Sequence, residues 1–203
     1  MPVFDTPFVM LPIIAVGAYL LGSIPFGLVV AKIMGLPDPR TIGSKNIGAT
    51  NVLRTGSKTA ALATVLLDGA KGLVAVLVAR ALAGEDAAQI AALTAFLGHC
   101  FSLFLGFKGG KGVATFLGAL YGLSFPLGAA ACLIWLLTVV IGRYSSLSAL
   151  VASAATPFVA LVMGQPDRFV VLAAMAAILI WRHRENIARL RAGTESKVGS
   201  SRS

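Results

Sequence analysis

Three polar stretches of the chain combine residue types that bind anions or move protons. The first, DPRTIGSKNIGATNVLRTGSK, runs from Asp38 to Lys58. Gly43, Gly48 and Gly56 let the backbone turn tightly, so successive N–H groups can point into one concavity that suits an anion. Ser44, Asn46, Thr50 and Asn51 add short donors. Arg40 and Arg54 add planar guanidinium forks that match phosphate oxygens. A solvated loop capped by Ser and Asn is the plainer explanation, yet the density of glycine and amide groups in one segment favours the anion.

The second stretch, GFKGGKGVATF, runs from Gly106 to Phe116. Lys108 and Lys111 bracket Gly109 and Gly110 just before an apolar helix. Backbone N–H groups and the positive end of a helix dipole then lie where an anion can sit. It is not a nucleotide-binding P-loop. Leu105 stands where the leading glycine is required, and Gly112 replaces the Ser or Thr that would hold magnesium. Positive-inside anchoring explains the two lysines but not the glycines between them.

The third stretch, IWRHRENIARLRAGTESK, runs from Ile180 to Lys197. His183 and Asn186 are three apart and share one helix face. An imidazole beside an amide donor suits proton handling or the holding of a hydroxyl. A basic amphipathic helix lying on lipid headgroups explains the neighbouring arginines but leaves that pair unexplained. Upstream, in GRYSSLSAL, Ser145, Ser146 and Ser148 are candidates to cap a helix. Ser146 is equally placed to donate to a substrate oxygen.

Other polar residues fall inside apolar runs. His99 reads as a buried, hydrogen-bonded histidine. Asp68 and Lys71, three apart in LLDGAKGL, read as an intrahelical ion pair that orients helices around the site. Cys100 and Cys132 have neither CxxC nor His/Cys spacing, so they read as small apolar residues without a disulfide or zinc role.

The elements that position these groups follow from composition. The chain has 203 residues, 57% of them hydrophobic and 12% charged, with a mean hydropathy of +0.87. Soluble domains carry about a quarter charged residues, so this is an all-α integral membrane protein. A crossing helix needs roughly 20 apolar residues. That ruler predicts spans at 8–34, 59–82, 88–106, 112–124, 126–142, 147–164 and 168–182. Fusing the fourth and fifth into one long kinked span leaves six. The opening MPVFDTPF lacks a basic leader region, so the first stretch is expected to be a retained span and not a signal peptide.

Charge separates the two counts. With seven spans, one side carries Arg40, Lys45, Arg54, Lys58, Lys108, Lys111, Arg143, Arg182, Arg184, Arg189, Arg191, Lys197 and Arg202. The other carries Asp5, Glu85, Asp86, Asp167 and the single cation Arg168. The positive-inside rule places the N-terminus outside and the C-terminus in the cytoplasm. Six spans would strand the C-terminal arginines opposite Lys108. We therefore expect seven transmembrane helices in one domain, residues 1–197, with a disordered tail at 198–203.

The formal charge of +9 does not indicate nucleic acid, because the cations sit in short loops and form no basic face. The H-x4-D pair of soluble-donor acyltransferases is absent: Phe104 and Ala188 stand five residues after the histidines. The aspartate series of CDP-alcohol phosphotransferases is absent too, since Asp68 is the sole acid within a span. A transporter of organic anions is disfavoured. The polar motifs gather on one side rather than at the bilayer midplane, and no repeat is visible.

Taken together, GSIPFG, GSKNIGATNVLR, GHCFSLFLGFKGGKGVAT, RYSSL and RHRENIARLRAGTESK closely resemble the PlsY-type glycerol-3-phosphate acyltransferases of bacteria, in order, from Gly22 to Lys197. One departure is Lys45, where that family usually has glycine. The resemblance implies a seven-span fold in the bacterial inner membrane with a cytoplasmic site. It implies transfer of a fatty acyl group from acyl phosphate to the 1-hydroxyl of sn-glycerol 3-phosphate, giving lysophosphatidic acid and phosphate, with no cofactor or metal. Both substrates and membrane lipid are the expected partners, along with the soluble enzyme that makes acyl phosphate; nucleic acid is not.

By the same resemblance, Ser44, Asn46, Arg54 and Lys111 bind phosphate, with N–H groups around Gly43 and Gly110. Asn51 and Lys108 are further candidates in those loops. Ser146, His183 and Asn186 hold the glycerol phosphate and, with Lys111, form the catalytic set. The hydroxyl proton passes either to His183 or to a substrate phosphate oxygen, and the second is favoured because no carboxylate is obviously placed to orient His183.

Overall fold

Apolar runs that lack strand-period alternation fold into helices throughout the residues described, 7–199, in a computed structural model of the chain, and no strand occurs among them. Asp5, Arg202 and the predicted disordered tail from 200 onward lie outside the described residues. Among the described residues, four helical stretches are long and apolar enough to cross a membrane: Met10–Ile33, Lys58–Leu105, Phe125–Gly142 and Ser145–Val162. The chain divides into two compact units, Met1–Phe125 and Pro126–Ser203.

In the first unit the predicted 8–34 span is two helices, α1 (Met10–Ser23) and α2 (Phe26–Ile33). Pro25 separates them, because it lacks an N–H donor and drives Ile24 out of helical geometry (φ −61°, ψ 118°). The first polar loop contains one helical turn, α3 (Ala49–Val52). Then α4 (Lys58–Cys100) starts at Ser57, whose hydroxyl accepts the Ala60 N–H at 3.1 Å. Its backbone breaks at Gly84 (φ 85°, ψ −167°). The predicted 59–82 and 88–106 spans therefore meet at one glycine and not in a loop. The last helix of this unit, α5 (Val113–Leu123), is apolar but shorter.

Small residues bring these helices together, as expected where lipid offers no hydrophobic drive for helix association. Ala75, Ala79, Ala87, Ala91 and Ala95 of α4 are buried with Ile14 and Ala18 of α1. Gly118 of α5 lies so close to the Gly69 carbonyl that a Cβ would not fit, and Gly22 meets the Ala95 carbonyl in the same way. Arg80 completes the packing. It donates to the Leu123 carbonyl at 3.0 Å, satisfying an orphan acceptor at the end of α5, and pairs with Glu85 just past the break.

The second unit contains all but the first residue of α6 (Phe125–Gly142), then α7 (Ser145–Val162), α8 (Phe169–Arg182) and α9 (Arg184–Arg191). Ser124 is extended (φ −159°, ψ 120°), so the residues predicted as the fourth and fifth spans form two helices and not one kinked rod. Packing of α7 on α8 closes at the turn, where Phe158 and Phe169 meet edge to face with centroids 6.0 Å apart. The chain after α9 folds back: the Val198 N–H donates to the Arg143 carbonyl at 2.7 Å.

Candidate functional site

Asn51 organises the first polar loop. It is 2% exposed, and its Nδ2 donates to the carbonyls of Pro39 (2.6 Å), Asn46 (2.8 Å) and Ile42 (3.2 Å). Its Oδ1 accepts the Ser44 N–H at 3.0 Å and Arg54 Nη1 at 3.2 Å. The side chain expected to face an anion instead closes the loop, because buried backbone groups need partners. Ser44 and Arg54 remain at the exposed surface and Asn46 is half-buried. Gly43 (φ 50°) sits tight against the Arg54 side chain. Arg40 is committed to Asp38, with its Nη2 2.6 Å from a carboxylate oxygen. Those hydrogen bonds hold the Asp38 carboxyl below the usual aspartate range.

The second loop is moulded onto the end of α4. The Gly110 N–H donates to the His99 carbonyl at 3.0 Å. Gly109 presses on the His99 carbonyl and Gly110 on the edge of the His99 ring, with no room for a Cβ at either. Lys108 is exposed and Lys111 half-buried. Beneath the loop, Asp68 and Lys71 form the expected ion pair at 2.8 Å. Lys71 Nζ also donates to the Ile24 carbonyl at 2.8 Å, which fixes the α1–α2 junction. His99 Nδ1 lies 3.5 Å from the same Asp68 oxygen.

Ser146 and Asn186 are brought together in the second unit, His183 stands at the start of the helix that carries Asn186, and all three are buried. Ser146 does not cap α7. Tyr144 occupies the cap position without a side-chain bond, and the Ser148 hydroxyl bonds back to the Tyr144 carbonyl at 2.9 Å. Ser146 Oγ donates instead to Glu195 Oε1 at 2.7 Å, and Asn186 Nδ2 donates to the same oxygen at 2.6 Å. Arg189 Nε donates to the other oxygen at 2.6 Å. Burial raises the Glu195 carboxyl, but these hydrogen bonds and the Arg189 charge outweigh it and leave it below the ordinary glutamate value. The sequence places Glu195 near His183 but does not reveal it as the hub of the cluster.

His183 joins α8 to α9, with Nδ1 2.8 Å from the Leu179 carbonyl. A carbonyl only accepts, so Nδ1 carries a proton and Nε2 is the ring nitrogen left to face a substrate. Its orienting partner is thus a backbone carbonyl, while Glu195 is used by Ser146, Asn186 and Arg189. Among the described residues no group of three or more His, Cys, Asp and Glu side chains gathers as a metal site.

The sequence-predicted residues therefore assort by unit. Gly43, Ser44, Asn46, Asn51 and Arg54 share one loop of the first unit, and Lys108, Gly110 and Lys111 share the other. Both loops are rich in cations and backbone donors, which suits anions. The second unit contributes a hydroxyl, an amide and an imidazole, which suits a hydroxyl substrate.

Residues 12–193 match the family model described as glycerol-3-phosphate acyltransferase. The chain is 56% identical to the glycerol-3-phosphate acyltransferase of Jannaschia sp. (strain CCS1) over 98% of each chain. It is 57% identical to that of Dinoroseobacter shibae (strain DSM 16493 / NCIMB 14021 / DFL 12) over the whole of both. Among solved structures, it resembles a crystal structure of PlsY, an integral membrane glycerol 3-phosphate acyltransferase, in its glycerol 3-phosphate form. The TM-score is 0.88 at 39% identity, covering 94% of this chain and 96% of that one. The lysophosphatidic acid form gives a TM-score of 0.87 at 38% identity.

Proposed function

Because the chain belongs to the glycerol-3-phosphate acyltransferase family of integral membrane proteins, we propose that it transfers a fatty acyl group from acyl phosphate to the 1-hydroxyl of sn-glycerol 3-phosphate, the first step of phospholipid synthesis. The hydroxyl oxygen attacks the acyl carbonyl carbon, and the bond from that carbon to the phosphate oxygen breaks. The products are 1-acyl-glycerol 3-phosphate and inorganic phosphate. Acyl phosphate is already an activated anhydride, so positioning and charge stabilisation can supply most of the rate.

Ser44, Asn46, Arg54, Lys108 and Lys111 act as phosphate ligands with the N–H groups around Gly43 and those flanking Gly110, whose own N–H is held by the His99 carbonyl, while Asn51 holds the first loop in shape. Ser146, His183 and Asn186 hold glycerol 3-phosphate, with Glu195 as the positioning residue of Ser146 and Asn186. His183 Nε2 accepts a hydrogen bond from the reacting hydroxyl, and a substrate phosphate oxygen takes the proton as the new ester forms. The backbone carbonyl behind His183 supports this division, since a carboxylate partner would better stabilise a protonated ring.

Residues 1–197 act as one transmembrane domain of seven crossings in the bacterial inner membrane, with the N-terminus outside and the C-terminus cytoplasmic. The break at Gly84, the extended Ser124 and the basic loops support this topology. The soluble enzyme that makes acyl phosphate is its partner at the basic inner surface. The observation that carries the functional reading is the Gly109–Gly110 turn between Lys108 and Lys111, seated on the end of α4. The test uses purified protein in detergent, without a membrane gradient. It should convert acyl phosphate and glycerol 3-phosphate to lysophosphatidic acid and phosphate, and should not accept acyl coenzyme A. Absence of turnover would revive a transport reading.

A further inference from the structure

We propose that His99 is a positioning residue: its ring, steadied by Asp68, sets where the backbone of the Gly109–Lys111 loop lies. This inference rests on the reading of that loop as a phosphate site.

Asp68, Lys71 and His99 are 2%, 3% and 4% exposed, in a chain whose α4 is apolar enough to cross a membrane. Ionisable groups are costly there and persist where they have a task. Charge balance does not require the histidine, because the Lys71 ammonium already neutralises the Asp68 carboxylate at 2.8 Å. The anchors around the ring are set by other helices. Thr115 Oγ1 of α5 donates to the Asp68 carbonyl at 2.9 Å, and Lys71 is tethered to the Ile24 carbonyl at 2.8 Å. Asp68 precedes the Gly84 break and His99 follows it, so their 3.5 Å contact also spans the two halves of α4.

The far edge of the ring meets the loop. Nε2 is the nearest atom to the position a Gly110 Cβ would take, while the Gly110 N–H is fixed to the His99 carbonyl at 3.0 Å. Gly109 lies flush on the same carbonyl, and Gly112 (φ 82°) lies flush on the Phe96 ring. A loop held at three glycines, 109, 110 and 112, against one helix end has little freedom of its own. The position of the imidazole therefore becomes the position of the loop N–H groups. Small misplacements of a binding group change substrate binding steeply.

Kinetics of the full chain purified in detergent, with each substrate varied in turn, test this. His99→Ala should raise the apparent KM for at least one phosphate substrate about tenfold or more, with kcat changed less than about threefold. His99→Gln keeps a polar group where Nε2 lies and should stay within about threefold of the parent KM. Gly110→Ala should raise KM about tenfold, and adding His99→Gln, whose flexible end can yield to the new methyl, should recover at least about threefold of it. A purely structural role would lower yield and thermal midpoint and leave the KM of the folded protein unchanged, which overturns the inference. If His99→Ala does not accumulate, the Gly110→Ala pair decides: independent, multiplying effects overturn it. Lys111→Ala, measured alongside, separates the two levels. An unchanged KM there sinks the phosphate reading, whereas a raised KM there with a normal His99→Ala sinks only the role of His99.

Discussion

Ser146 Oγ donates to Glu195 Oε1 at 2.7 Å across 49 residues of sequence. That contact, and not a helix cap, sets the rotamer of Ser146, and the same carboxylate oxygen holds Asn186. A residue of the tail thereby organises two of the predicted substrate ligands.

Glu195→Ala should release both and lower kcat/KM for glycerol 3-phosphate about tenfold or more, since each lost charged hydrogen bond is worth about 1.5–3 kcal/mol. The folded carboxyl lies below its ordinary value of 4.5. Its contribution to stability is therefore complete above pH 4.5 and is lost as pH falls through the lowered folded value. Thermal midpoints measured from pH 7 downward should show this acid-side loss in the parent and a weaker one in Glu195→Gln. Parallel curves would remove Glu195 from this role.

Replacing His183 distinguishes a general base from a hydrogen-bond partner. With a substrate phosphate as proton acceptor, His183→Ala should weaken glycerol 3-phosphate binding and lower turnover together, each about tenfold. His183→Gln, which places an oxygen near the Nε2 position, should retain more of both. Abolished turnover with intact binding in His183→Asn or His183→Gln would assign the proton to the imidazole.

Lys111→Ala should leave expression unchanged and raise the apparent KM for at least one phosphate substrate about tenfold or more, the scale of one charged hydrogen bond. Initial-rate measurements with each substrate varied in turn provide the check.

Lys45 has a φ of 56°, the left-handed region that costs a side chain roughly 1–2 kcal/mol. Lys45→Gly should stabilise the protein by about 1 kcal/mol after allowing for the freer unfolded chain. A higher thermal midpoint in detergent is the expected reading, and a lower one would mean the lysine makes compensating contacts.

Membrane-impermeant thiol labelling of intact cells tests topology. Glu85→Cys should react from the periplasm, whereas Lys45→Cys and Lys108→Cys should react only after the inner membrane is opened. Periplasmic labelling at Lys45→Cys would overturn the proposed orientation.

The helical, membrane-embedded character was legible in the sequence. Apolar run length and hydrogen-bonded helix geometry are local properties, and lipid leaves the backbone few other solutions. The polar loops were legible for a similar reason, because Gly43, Gly109 and Gly110 interrupt those runs beside lysine and arginine. The separation of α1 from α2 at Pro25 was local too, yet the apolar count across residues 8–34 masked it. The inward turn of the Asn51 amide was hidden, because its acceptors are backbone carbonyls of a loop whose path the sequence does not specify.

The sequence by itself determined which segments are apolar, where they stop, and which chemistry lies at the stops. Only the tertiary structure decided that Glu195 serves Ser146 and Asn186, and that the His99 ring abuts Gly110. Those partners are 49, 9 and 11 positions apart and follow no common sequence period. Which donor meets which acceptor depends on how helices pack and where the chain folds back.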